Sequence, residues 1–279
     1  MDIQTNFSKS EWKNRIETGR VLAILLPLLL FFLPFWNANE GVDYADTGYS
    51  LNNYANYESL GTTWKLATYL ANAFGRFLMQ LPGGDTMLGM NLYTSLLISG
   101  MALAGYFFCK RRAGQTAAFW GEVLAVSLCW CPTVILYNYM TYVFLLAALL
   151  CLYHALTMQK LPQNTKKRNA FLAAAGVLLG INVFVRFSNL AETAFILLVW
   201  YAAWLLHGKQ SGGGKTEQTF FSCAAKDTLW CLAGYLAGFL SVFVVVCANY
   251  GLEAYLHMLT GMSSMEGSNE RYSIAGMLT

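Results

Sequence analysis

Two carboxylates lie three residues apart in a tyrosine-rich stretch, GVDYADTGYSLNNYANY, at residues 41–57. On a helix Asp43 and Asp46 would share one face, because residues three apart are neighbours on a helix surface. Two close acids near a low-dielectric environment raise each other's proton affinity, so one of them can become a general base. The pair predicts acid–base chemistry; a solvated acidic loop is the alternative.

Three further side chains are candidates for substrate binding. Arg186, in the sequence NVFVRFSNL, can grip a phosphate with two parallel hydrogen bonds, and an arginine that only reaches the lipid headgroups is the alternative. Arg271 could counter the charge of a phosphate. His257 has no second ligand at a suitable spacing, so we predict no metal site there.

The elements that position these residues are those of a membrane protein. The 279 residues are 56% hydrophobic and only 12% charged, whereas a soluble domain has about a quarter of its residues charged. No basic block with interleaved aromatic residues indicates a nucleic-acid partner. Seven cysteines lie mostly in apolar runs and are interpreted as small buried hydrophobic residues.

The apolar runs predict an all-α, polytopic membrane helical bundle, because a spanning backbone must satisfy its own hydrogen bonds. We expect a single membrane domain over residues 1–279 with about seven transmembrane helices, in which the first is an uncleaved anchor. The predicted spans are 21–36, 86–108, 116–137, 141–158, 169–187, 190–206 and 228–249.

The segment 62–81, TTWKLATYLANAFGRFLMQL, is predicted to be an interfacial helix instead of a span. Lys65, Thr68, Asn72 and Arg76 recur at helical spacing and form one polar stripe. A span would place two cations in lipid, at a cost of about 2.5 to 3.5 kcal/mol each.

The distribution of basic residues predicts the orientation, because cytoplasmic loops are enriched in Lys and Arg. With 1–20 in the cytoplasm, fourteen of the eighteen basic residues fall on the inner side. The segment 207–227 is then a cytoplasmic linker with a flexible glycine core. The first outer loop covers 37–85, and 250–279 forms an outer segment, where truncation of a longer parent chain is one interpretation.

The first outer loop opens with an acidic motif, Asp43-Tyr44-Ala45-Asp46, followed by Gly48-Tyr49-Ser50-Leu51. The motif comes after one predicted span and before the predicted interfacial helix. In this motif and in the order of its elements the chain resembles the GT-C membrane glycosyltransferases, which include the protein O-mannosyltransferases and the aminoarabinose transferases of lipid A. Members of that family usually have more than seven spans, so the resemblance implies that the chain is an N-terminal portion.

The resemblance implies transfer of a sugar from a polyprenyl-phosphate donor to an acceptor on the outer membrane face, usually with inversion. Asp46, or else Asp43, would act as the base or orient the acceptor. Among the outer cations, Arg186 and Arg271 are our assignments for the donor phosphate. Tyr44 and Tyr49 could stack on a sugar, or else belong to an aromatic belt at the membrane surface.

The expected partners are therefore membrane lipid and a polyprenyl-phosphate-linked sugar, in a bacterial cytoplasmic membrane. No cofactor is required by the residues, although a divalent metal is compatible with the chemistry. A multi-span transporter or flippase for lipid or envelope precursors, and a non-catalytic subunit, are the alternatives. A transporter should carry ionisable residues at mid-span, and Glu122 and Arg186 both lie near predicted helix ends.

Overall fold

A computed structural model describes residues 9–39, 44–128, 134, 137–158, 165–207 and 215–267, and within these ranges every regular element is helical. The all-α prediction is confirmed. The α-helices are α1 (Lys9–Phe32), α2 (Tyr44–Ala55), α3 (Thr62–Ala67), α4 (Tyr69–Met79), α5 (Met87–Ala113), α6 (Gln115–Leu128), α7 (Tyr137–Met158), α8 (Thr165–Asn182), α9 (Leu197–His207), α10 (Lys215–Tyr250) and α11 (Leu252–Gly267). Segments of 3₁₀ helix cover Leu33–Asn37, Tyr57–Ser59 and Phe187–Ile196.

Five helical stretches of the described chain are long and apolar enough to cross a bilayer, which makes this a multi-pass membrane protein. They are Gly19–Trp36, Met87–Ala113, Tyr137–Met158, Phe187–Leu205 and Phe221–Tyr250. Of the other two predicted spans, 116–137 overlaps α6, whose described part ends at Leu128. The span predicted at 169–187 overlaps α8, whose first turn, Thr-Lys-Lys-Arg, is polar.

The chain forms two compact units. Unit 1 comprises residues 1–47 and 78–135, and unit 2 comprises residues 48–77 and 136–279. The single membrane domain over 1–279 stays a prediction.

Unit 1 is built on an antiparallel pair of helices, α1 and α5, with α6 beside them. Leu30 and Tyr106 are fully buried at the centre of this packing. Three polar side chains of α5 donate hydrogen bonds to backbone carbonyl groups near the end of α1 and in the 3₁₀ segment that follows it. Asn91 donates to Ala38 (2.8 Å), Ser95 to Pro34 (3.1 Å) and Ser99 to Phe31 (2.6 Å).

Unit 2 is centred on the close parallel contact of α8 with α10. Gly176 and Gly180 of α8 lie so near the backbone of Cys231 and Tyr235 that a Cβ atom at either glycine would overlap it. Gly234 and Gly238 of α10 face α8 in the same way. Small residues four apart let helix backbones approach closely in a membrane, and here both partners carry them.

The predicted interfacial helix at 62–81 is two helices instead of one. The backbone leaves helical geometry at Thr68 (φ −131°, ψ 47°), between α3 and α4. The polar stripe does not face solvent throughout, because Lys65 and Asn72 are buried. Asn72 donates to the carbonyls of Trp64 and Lys65, at 3.2 and 3.3 Å, and thereby satisfies the end of α3.

The linker predicted at 207–227 is helical from Lys215 onward, since α10 begins there and continues for 36 residues, about 54 Å. Its sequence after the glycines, KTEQTFFSCAAKD, contains neither Gly nor Pro, so nothing in it interrupts a helix. The segment predicted to follow the last span forms α11 up to Gly267, and the remainder lies outside the described residues.

Candidate functional site

The acidic motif begins α2. Asp46 lies in the first turn of this helix and is exposed, whereas Asp43 lies outside the described residues. Tyr44 is the first residue of α2, and its side chain also lies outside the described part. An acid in a first helical turn is favoured by the helix dipole, so Asp46 suits its position at the start of α2. That Asp43 and Asp46 share a face stays a prediction.

One face of α2 is buried although it is polar. In unit 2, Ser50, Asn53 and Tyr54 are each 2% exposed, and the Asn53 side-chain nitrogen has no hydrogen-bond acceptor within the described structure. The Tyr54 ring lies against Gly75 of α4, where any side chain would overlap it. Burial raises the pKa of the Tyr54 phenol above its usual range, so this hydroxyl stays protonated.

Tyr49 and Trp64 form an aromatic pair between α2 and α3. Their ring centroids are 5.7 Å apart in an edge-to-face arrangement, and both rings are partly exposed. Burial of part of the ring raises the pKa of Tyr49. Because the ring planes are inclined at 71°, each ring can offer its own apolar face, and the phenol hydroxyl and the indole N–H can donate hydrogen bonds to a sugar.

A buried lysine between tyrosines is the least expected feature of unit 2. The Lys65 side chain is 7% exposed, and its Nζ lies 5.0 Å from the Tyr57 ring centroid and 5.5 Å from that of Tyr250. Its single direct hydrogen bond in the described structure goes to the backbone carbonyl of Glu58, at 3.2 Å. An ammonium removed from water is costly unless compensated, and in the described chain no carboxylate forms an ion pair with it.

Arg76 supplies a second cation to this group of residues, which we call the Lys65 cluster (Tyr57, Glu58, Lys65, Arg76 and Tyr250). The Arg76 guanidinium lies 5.2 Å from the Tyr57 ring centroid and forms an ion pair with Glu58. Hydrogen bonding from Arg76 lowers the pKa of Glu58 below its usual value. The cluster thus contains two cations and one anion, so a bound anion would balance its charge.

The phenols of the Lys65 cluster can act as hydrogen-bond donors. The Tyr57 and Tyr250 hydroxyls lie 3.1 Å apart, within hydrogen-bonding distance, and Tyr69 adds an edge-to-face contact with Tyr250. Burial, together with the Tyr250 hydroxyl, raises the pKa of Tyr57 well above its usual range, and burial also raises that of Tyr69. The raised pKa values of Tyr57 and Tyr69 favour the protonated phenols, which can donate hydrogen bonds to a ligand.

The break at Thr68 connects the cluster to the turn that follows α8. The Leu70 backbone N–H, at the start of α4, donates to the carbonyl of Phe184 at 2.9 Å. The Lys65 cluster and residues 182–186 therefore lie at one end of unit 2, which we call the Tyr250 end. At this end α7 begins and α8 and α10 finish.

Arg186 lies exposed at the Tyr250 end. Its guanidinium donates to the Asn138 side-chain oxygen at 3.3 Å and lies 4.9 Å from the centroid of the Tyr137 ring. No carboxylate pairs with it in the described residues, so it can accept an anion from solvent or from a lipid headgroup. His257 is exposed on α11, and Arg271 lies outside the described part; their predicted roles stay predictions.

A buried polar network lies beside Arg186. The Asn182 side-chain nitrogen donates to Glu192 at 2.7 Å, and Asn189 donates to the Thr141 hydroxyl at 2.8 Å and to the Asn182 carbonyl at 3.0 Å. The Asn182 side-chain oxygen is buried without a donor in the described structure. Glu192 belongs to the ten-residue 3₁₀ segment that begins the span Phe187–Leu205.

The burial of Lys65 between tyrosine rings is not predicted from the sequence, because the polar stripe of 62–81 assigns both of its cations to the solvated face. One signal was present: Tyr57 lies eight residues before Lys65, and aromatic residues repeatedly accompany the cations of this region. The contribution of Tyr250 has no local signal, since it lies 193 residues from Tyr57. In the described chain, no group of three His, Cys, Asp or Glu residues is arranged to hold a metal ion.

Comparison with known proteins finds no match: no family model, no curated protein and no solved structure corresponds to this chain. The functional argument therefore rests on the residues and their geometry.

Proposed function

We propose that the chain is a membrane glycosyltransferase of the GT-C type, which moves a sugar from a polyprenyl-phosphate donor to a hydroxyl acceptor. It would act on the non-cytoplasmic face of a bacterial cytoplasmic membrane, with its N-terminus in the cytoplasm. The observation that carries this proposal is the excess positive charge of the Lys65 cluster, which is buried among phenol donors and suits a lipid-linked phosphate.

The chemistry divides between an anion site and a base. As the bond between the sugar C1 and the phosphate oxygen breaks, charge grows on the leaving polyprenyl phosphate, and the Lys65 and Arg76 cations stabilise it. Glu58, which is 76% exposed, can move aside from Arg76 when phosphate binds. The acceptor oxygen bonds to C1 and its proton passes to Asp46, so that one displacement inverts the sugar carbon.

The Tyr49 and Trp64 rings supply a surface for the transferred sugar or for its acceptor. Aromatic rings offer area at a low cost in conformational entropy, since each has only two side-chain rotations. In this proposal Arg186 serves as a second anion contact at the Tyr250 end, and Asp43 supports or replaces Asp46.

The experiment is a transfer assay on the whole protein, reconstituted in liposomes with a panel of undecaprenyl-phosphate sugars labelled in the sugar. We expect the wild type to move label out of the lipid phase, and Asp46→Asn to lower the rate by about 10²- to 10⁴-fold, the usual contribution of a general base. The matched control is Asp85→Asn, which alters another exposed aspartate and should retain the rate.

Equal rates in wild type, Asp46→Asn and Asp43→Asn would remove the assignment of a base to this motif. A wild type that transfers no sugar from any donor of the panel would contradict the proposed function. Thermal melting and gel-filtration profiles of each variant separate loss of chemistry from loss of folding.

A second candidate, ion-coupled transport of an envelope precursor, is favoured by Glu192. Ionisable residues within a span mark ion and substrate pathways, and non-α backbone at membrane depth lines cavities or is buried in protein. If the chain is a transporter, Glu192→Gln abolishes uptake of a short-chain polyprenyl-phosphate sugar into liposomes and Asp46→Asn does not. The glycosyltransferase predicts that Asp46→Asn abolishes sugar transfer while Glu192→Gln spares it.

A further inference from the structure

An open apolar groove of about 470 Å³ lies on unit 1, between α1 and α5. Its lining is almost wholly hydrocarbon, with Pro27 and two phenylalanines of α1 on one side and Leu103 and Phe107 of α5 on the other. The volume lies in the usual range for a ligand site, about 300 to 1,000 Å³. A groove of this kind on a membrane helix pair is suited to an acyl chain.

Cations stand at one end of the groove. The Lys110 Nζ lies 4.2 Å from the ring centroid of Phe107, which is itself a groove residue, and 5.5 Å from that of Tyr106. Arg111 and Arg112 follow at the end of α5 and are exposed. Within the described structure no carboxylate forms an ion pair with Lys110.

The same end of α1 contributes another cation. The two helices are antiparallel, as the contacts of Asn91 with Ala38 and of Ser99 with Phe31 show together, so the beginning of α1 lies beside the end of α5. Leu22 of α1 and Cys109 of α5 pack against one core cluster, and Arg20, exposed, precedes Leu22 by two residues. A hydrocarbon groove therefore leads to a rim of four basic residues.

We propose that this groove and its rim bind an anionic glycerophospholipid, with one acyl chain along Leu28 and Phe107 and the phosphate at Lys110. Charge complementarity selects an anionic headgroup, since basic pockets between transmembrane helices bind such lipids. The lipid is a structural partner of unit 1 and is distinct from the polyprenyl-phosphate donor, whose proposed contacts are residues of unit 2. The inference does not depend on the proposed enzymatic activity.

The test measures lipid retained by the whole protein after purification from nanodiscs that contain isotope-labelled phosphatidylglycerol and phosphatidylcholine in equal amounts. The wild type should retain phosphatidylglycerol in excess. Leu28→Trp fills the groove from an exposed position and should reduce the retained lipid several-fold, whereas Leu240→Trp, equally exposed on α10, should not. Lys110→Gln should lower the preference for phosphatidylglycerol about fivefold, the effect of one basic residue near an anionic surface; Lys226→Gln is its control.

Equal retention of the two lipids by the wild type would overturn the proposal, as would a Leu28→Trp variant that retains as much lipid as Leu240→Trp. Competition with undecaprenyl phosphate identifies the occupant. If it displaces phosphatidylglycerol at far lower concentration than unlabelled phosphatidylglycerol does, the groove belongs to the polyprenyl carrier and the proposal is wrong.

Discussion

Lys65 is a single residue whose burial costs stability. Its ammonium is held by two aromatic faces and one carbonyl, which compensate only part of the lost hydration. Cation–π contacts contribute about 0.5 to 2 kcal/mol each, whereas removing a charge from water costs several. The proposed binding of an anion by Lys65 would account for a buried charge that lowers stability.

The first prediction concerns Lys65→Met, which replaces the buried charge with an apolar chain of similar length. We expect thermal stability to stay equal or to rise, because replacing buried charge with hydrophobic groups is often stabilising by about 1 to 4 kcal/mol. Added undecaprenyl phosphate should stabilise the wild type, and the apparent affinity derived from that stabilisation should be at least tenfold lower for Lys65→Met. Lys226→Met is the matched control; a marked loss of stability in Lys65→Met would indicate a structural role instead.

The second prediction concerns the pH dependence of the Glu58 and Arg76 pair. Arg76 lowers the pKa of Glu58 from 4.5, so the contribution of the pair is present above that pH and is lost as the pH falls through the lower folded-state value. The effect is small because Glu58 is largely exposed to water and Arg76 is partly exposed.

The measurement compares the melting temperature of wild type and Arg76→Gln between pH 7 and pH 3. The difference in melting temperature should be constant from pH 7 to about 5 and should shrink below about pH 4. A difference that grows on acidification would contradict the pairing.

At the scale of elements, the contact of α8 with α10 organises unit 2. Its glycines carry no side chain to separate the backbones, and the close approach brings the ends of both helices to the Tyr250 end. The position of Tyr250 beside Lys65 thus depends on packing inside the helix pair, many residues from the site.

The third prediction is that Gly238→Ala lowers stability. Its added methyl group would overlap the Val177 carbonyl of α8, and overpacking of a close contact costs about 1 to 3 kcal/mol. Gly121→Ala in α6 is the control, because no atom lies within 4 Å of its added carbon. The control should be neutral or slightly stabilised in thermal melting, since alanine favours helix over glycine by about 1 kcal/mol. Equal melting of both variants would show that the contact is looser than described.

Sequence patterns predict most of the long helices, but few of the places where regular α-helix is interrupted. Apolar runs of sufficient length identify the spans, and the glycines four apart in GVLLG at 176–180 and GYLAG at 234–238 indicate close helix packing. The break at Thr68 and the 3₁₀ helix of Phe187–Ile196 have no such signal. Both depend on tertiary partners, such as the Phe184 carbonyl that accepts from Leu70.

For the candidate site, the sequence predicts residue types but not their grouping. It identifies Asp46 and Arg186 as chemically able and places Arg186 near a helix end, whereas it does not predict the helix α2 around Asp46. The sequence does not predict the contact of Tyr250 with Lys65, because residues 185 positions apart meet only through the packing of complete helices.

At the scale of the whole molecule, orientation determines whether the site meets its proposed substrate. The excess of basic residues in 1–20, 110–112, 160–168 and 209–226 predicts that these segments face the cytoplasm. The beginning of α2 and the Lys65 cluster must then lie on the other side of the membrane. A polyprenyl-phosphate sugar presented there would be on the side of the membrane that the Lys65 cluster faces.

The most direct measurement is labelling of single introduced cysteines in intact cells with a membrane-impermeant maleimide. Asn52→Cys on α2 and Ala113→Cys at the basic end of α5 both replace exposed residues, and the unaltered chain gives the background from its native cysteines. The account predicts that position 52 is labelled in intact cells and position 113 only after the cells are opened. Labelling of position 113 from outside, with position 52 protected, would contradict the account.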